Sequence, residues 1–96
     1  MKLLVAVVQD ADAPALMERL VKVGLRATKL ASTGGFLRQG NTTLLVGVED
    51  HQLEQALSCI REVCRHRLQR LPGGASEVEV GAATVFVVAV ERFERI

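Results

Sequence analysis

The chain opens on an unbroken aliphatic run from Leu3 to Val8. A run without alternation predicts a strand buried on both faces. The period then changes. Leu16, Met17, Leu20 and Val21 return on one helical stripe, while Glu18 and Lys22 sit four apart on the polar side. Asp10 and Asp12 are placed to cap this helix, Pro14 suits its first turn, and Gly24 its end. Extended segments are predicted over Arg26 to Thr33, up to Gly34-Gly35, and over Thr42 to Val48. A second helix is predicted to open at Asp50, with the stripe Leu53, Ala56, Leu57, Ile60, Val63 and Cys64. Leu71-Pro72-Gly73-Gly74 reads as a turn. Glu77 to Val80 alternates like an edge strand, and Ala83 to Val90 is apolar throughout.

The order β-α-β-β-α-β is that of an α+β, ferredoxin-like sandwich, here one domain over residues 1–96. Two helices cover one face of a four-stranded sheet. Yet the first and last strands are apolar on both faces: Val85, Val87 and Ala89 alternate with Phe86, Val88 and Val90. A monomer would leave a large apolar surface bare, so the pattern predicts a homo-oligomer.

Composition narrows the function. The formal net charge of +1 disfavours general nucleic-acid binding through phosphate neutralisation. The apolar start is too short for a signal peptide or membrane span, which predicts a cytoplasmic protein without a membrane partner. Cys59 and Cys64 lack metal-ligand spacing and read as buried thiols. No nucleophile with a neighbouring base and no His-rich cluster is present, so neither an enzyme nor a resident cofactor is expected. His51 and His66 flank the second helix and read as solvated.

The stretch from Arg26 to Thr43 exceeds what folding requires. Arg26 and Thr28 share a strand face, while Arg38 and Asn41 are available on the loop. Gly34, Gly35 and Gly40 allow positive φ, close backbone approach and an anion-binding nest. Phe36 and Leu37 can sandwich a planar ring; in a plain hairpin they would fold over the core instead.

The strings Val-Val-Gln-Asp at 7–10, Arg-Ala-Thr-Lys-Leu-Ala-Ser-Thr-Gly-Gly-Phe-Leu-Arg at 26–38, Gly-Asn-Thr-Thr at 40–43 and Val-Glu-Val-Gly-Ala-Ala-Thr-Val-Phe-Val at 78–87 resemble the PII-like cyclic di-AMP receptors. The resemblance implies a homotrimer of ferredoxin-like subunits that binds cyclic di-AMP between neighbours and signals to a downstream protein. It implies that Arg26, Ala27 and Thr28 line the pocket. Gly35, Phe36 and Leu37 would enclose an adenine, Asn41 would hydrogen-bond the nucleotide, and Gly47 would admit it closely. The residue types suit these roles: Asn pairs with an adenine edge, Arg with phosphate, and Phe with a base.

Two features differ from the usual pattern of such receptors. The stretch from Arg67 to Ser76 is short, and the tail from Glu91 to Ile96 is charged. A short, Pro72-restricted loop predicts weaker binding, with the response carried by residues 34–41. Competing readings are another adenine nucleotide as ligand, or a ligand-free scaffold with Arg61, Arg65, Arg67 and Arg70 facing an acidic partner. An acylphosphatase-type enzyme fits least, because Asp10 and Asp12 would repel a phosphate after the first strand.

Overall fold

Strand β1 (Lys2–Gln9) divides the molecule into two faces. Leu4, Ala6 and Val8 are at most 1% exposed, whereas Leu3, Val5 and Val7 on the other side are half-buried. The computed structural model describes residues 1–30, 40–70, 73 and 77–96. After β1 come α1 (Ala13–Lys22), β2 (Arg26–Lys29), β3 (Asn41–Val48), α2 (Leu53–Val63), β4 (Arg67–Arg70), β5 (Glu77–Val80) and β6 (Ala83–Ala89).

The main sheet runs β2-β3-β1-β6 and every pairing is antiparallel. With β3 between the strands that α1 connects, this is the ferredoxin-like arrangement expected from the sequence. Both helices pack on the Leu4 side. Leu16 and Leu20 of α1 and Ala56 and Ile60 of α2 meet Leu44, Val46 and Val48 of β3 in one aliphatic core. Met17 joins this core at its rim, but Val21 is 66% exposed, so the α1 stripe is narrower than its periodicity suggests.

The second strand is shorter than predicted, ending at Lys29, although the Leu30 N–H still bonds the Thr43 carbonyl at 2.9 Å. Residues 31–33 of the predicted strand, and the loop residues Gly34, Gly35, Phe36, Leu37 and Arg38, lie outside the described residues. Asp50–Gln52 forms a single 3₁₀ turn before α2 instead of its first α-turn. A capping box between Glu49 and Gln52 tightens that turn, with the Glu49 N–H bonding Gln52 Oε1 at 2.9 Å. Glu18 and Lys22 pair as expected at 3.5 Å, and Gly24 ends α1 at φ +82°. The 71–74 turn lies outside the described residues except for Gly73, at φ +67°.

The segment after α2 departs most from expectation. Arg67–Arg70, read above as loop, is a strand that pairs with Glu77–Val80 in a separate two-stranded ribbon. The polar sequence Arg67-Leu-Gln-Arg70 carries little strand signal, and the pairing is supplied by the alternating partner β5. Asp12 stands at the N-cap of α1 but its side chain caps nothing. Its Oδ1 instead accepts a 2.6 Å hydrogen bond from the Arg67 guanidinium, whose other nitrogen donates to the Arg65 carbonyl at 3.1 Å. Opposite, the Gly81 N–H bonds Gln9 Oε1 at 2.8 Å. The ribbon is thereby tied at its base to the β1–α1 junction.

Gly81 sits in that tie at φ +84°, and a Cβ there would lie 2.1 Å from the Arg65 carbonyl oxygen. Gly81→Ala is expected to destabilise the fold by more than about 1–2 kcal/mol, the cost of the left-handed conformation alone. An unchanged denaturation midpoint would contradict this. Arg67→Ala strands a carboxylate that is 3% exposed, with an expected loss of about 1.5–3 kcal/mol in chemical denaturation. Equal stability of that variant would show that the ribbon is held elsewhere.

Cys59 and Cys64 are both free and buried. Burial, followed by the nearby Asp12 carboxylate, pushes the Cys64 thiol from its ordinary 9.0 up to about 11, against a smaller opposing pull from Arg67. Burial raises Cys59 as well. A thiol with a raised folded-state pKa binds protons that the unfolded chain releases, so its contribution is complete below 9 and fades toward 11. Both thiols are expected to resist disulfide reagents near neutral pH until denaturant is added, and stability is expected to fall between pH 9 and 11. Rapid modification of the native protein would contradict this.

Candidate functional site

The face of the sheet away from the helices is set by strand parity. Leu3 lies across from Gly47 and Val88, Val5 from Leu45 and Phe86, and Val7 from Thr43 and Thr84. Next to Gly47 and Leu45 stand Arg26 and Thr28 of β2. No element among the described residues covers this face. Phe86 is 57% exposed and Val88 47% exposed. The surface is thus aliphatic at its centre, with a cation and a hydroxyl on one border.

A groove of about 490 Å³ lies at that border. Arg26, Thr28 and Gly47 line it together, as the sequence reading requires of pocket residues. Short β2 holds Arg26 and Thr28 two residues apart, so both project to the same side. Gly47 presents backbone only; a Cβ added there would meet nothing within 4 Å and would project into the open. Ala27 is turned the other way, opposite Val46, and packs against the core, which leaves only its backbone for a ligand.

Asn41 is not in this groove. It begins β3 beside Gln9 and lines a smaller cleft of about 180 Å³ with Thr84. Six residue steps along the strand separate it from Gly47, about 20 Å at the usual strand rise. Gly35, Phe36 and Leu37 lie outside the described residues.

Sequence reading missed the groove's far wall. The chain leaves β6, ties Val90 to Met1 through a 3.2 Å backbone bond, and brings Phe93 and Arg95 over the same groove as Arg26. Lys2 joins them. Phe93 is 64% exposed. The composition carried a hint: of only three aromatic residues, one stands in a charged tail that contributes nothing to the core. Arg26, Arg95 and Lys2 give the groove three cationic groups, Phe93 a ring, and Leu3 and Leu45 an apolar floor. That combination suits a ligand with phosphates and a planar base.

The β1–α1 junction, where an acylphosphatase would hold its anion, is occupied otherwise. Gln9 bonds Gly81, Thr42 donates to the Asp10 carboxylate, and Asp12 holds Arg67. Among the described residues no group of three His, Cys, Asp or Glu side chains is gathered for a metal ion. No described helix is long and apolar enough to cross a membrane.

A crystal structure of a functionally unknown protein from Pediococcus pentosaceus ATCC 25745 is similar over 99% of this chain and 96% of that chain, with 42% identity and a TM-score of 0.84. A family model described as cyclic-di-AMP receptor matches residues 1–76, from β1 through the first strand of the ribbon. With most of the chain matched, this protein belongs to the cyclic-di-AMP receptor family.

Proposed function

We propose that the protein is a non-catalytic sensor that binds cyclic di-AMP between the subunits of a homotrimer. The observation that carries the proposal is the bare sheet face and the cationic, Phe-walled groove at its border. An apolar face in which half-buried Leu3, Val5 and Leu45 adjoin exposed Phe86 and Val88 is the kind of surface that marks an interaction site. Packing the faces of three copies around an axis would bury it and bring each groove beside a neighbour.

A two-phosphate ring ligand would place its phosphates against Arg26 and Arg95, with Thr28 donating a hydroxyl. Phe93 would stack on one adenine, and Gly47 would let the ligand lie against the strand. Asn41 is too distant along β3 to touch a ligand in the groove of its own chain. It would reach the ligand from the neighbouring protomer. Gly35, Phe36 and Leu37, outside the described residues, are the residues expected to enclose one adenine.

At micromolar concentration, light scattering is expected to give the mass of three chains; a monomer's mass would refute the shared-face arrangement. Saturation with cyclic di-AMP at about a hundred times Kd should stabilise the fold by about 2.7 kcal/mol. A comparable rise in Tm with cyclic di-GMP, or none with cyclic di-AMP, would go against the assignment. Arg26→Ala is expected to weaken binding by about 1.5–3 kcal/mol. Asn41→Ala is expected to cost about 1–3 kcal/mol through a lost adenine contact. Undiminished binding would remove the residue from the site.

A further inference from the structure

A second groove, of about 430 Å³, lies on the helix side of the sheet, between the end of α2 and the start of β6. Leu57 and Ile60 from α2 and Val85 from β6 form its apolar floor, and Arg61, Arg65 and His66 stand along its rim. Among the described residues no carboxylate lines it. Arg61 pairs with Glu54 at 3.7 Å between side chains 66% and 79% exposed, a pair too solvated to hold Arg61 back from a partner. The end of a helix carries about half a negative charge, which the two arginines exceed.

The groove runs beside the outer edge of β6, with which no described strand pairs. Val87, two residues along from Val85 on the same side, is 45% exposed. An apolar floor, a cationic rim and an open strand edge together fit one kind of occupant. We propose that this groove docks an extended acidic segment of a partner protein, which lies along β6, seats an apolar side chain on Leu57, Ile60 and Val85, and pairs its carboxylates with Arg61 and Arg65. The described lining holds no Phe, Tyr or Trp and only the His66 imidazole as a ring, which separates it from the Phe93-walled groove. Val85 faces the helices, whereas Phe86 and Val88 face away. The apolar floor and cationic rim therefore lie on the face opposite the one proposed for assembly, and docking does not depend on the nucleotide assignment.

The probe is a fluorescein-labelled peptide of alternating Glu and Leu, titrated by anisotropy against the full-length protein, with its Lys-Leu counterpart as control. Saturable binding of the Glu-Leu peptide alone is expected, with amide shift changes at residues 57–66 and 82–87. The double variant Arg61→Ala/Arg65→Ala, at unchanged Tm, should bind at least tenfold more weakly, whereas Arg70→Ala on the ribbon should bind as the parent does. Four results would overturn the proposal: no saturable binding; equal loss in the Arg70→Ala control; shift changes confined to other surfaces; or displacement by inorganic phosphate as effective as by unlabelled peptide.

Discussion

Everything in this molecule follows from a sheet with two apolar faces and enough helix for one. Burial of Leu4, Ala6, Val8, Leu44, Val46 and Val48 under α1 and α2 accounts for the fold of a single chain. The opposite face repeats the same chemistry with no cover among the described residues. A 96-residue chain has little apolar surface to waste, since small domains bury the smallest share of their area. The bare face is the constraint from which the proposed assembly is argued, and the groove lies at its border. In this account, sensing and assembly use one surface.

The ends of the sheet are held by polar ties of a different kind. Gln9, Asp10 and Asp12 leave β1 in succession and engage Gly81, Thr42 and Arg67. These contacts gather the first strand, the start of β3 and the base of the ribbon at one corner. The groove proposed for the nucleotide occupies the other end, beside Met1, Gly47 and Arg26. The groove residues Arg26, Thr28 and Gly47 take no part in these ties, so the groove is expected to tolerate substitution without unfolding the chain.

Much of this was legible in the chain itself. Unbroken aliphatic runs marked β1 and β6 because both faces of those strands are apolar. The α2 stripe marked its buried side because the helix lies flat on the sheet. The ribbon strand Arg67–Arg70 was not legible, because its pairing depends on β5 and on the Asp12–Arg67 bond, both remote in sequence. Asp12 looked like a helix cap for the same reason: local pattern names the nearest use of a carboxylate, and tertiary contact supplied a different one. At the site, Arg26 and Thr28 were readable from strand parity and Gly47 from resemblance. Phe93 and Arg95 were not, since only the return of the tail past Met1 brings them to the groove.

Gly47 offers the most direct test, because a side chain there meets no protein atom within 4 Å and needs no unusual φ. Val suits a strand better than Gly, so Gly47→Val should fold and assemble like the parent. Its branched side chain would occupy the space where the ligand is held against the strand. Calorimetric titration with cyclic di-AMP should then show binding to the parent trimer and a loss of at least tenfold in affinity for an equally stable Gly47→Val trimer. Undiminished binding by that variant would contradict the account, because it would place the ligand away from the groove that Arg26, Thr28 and Phe93 define.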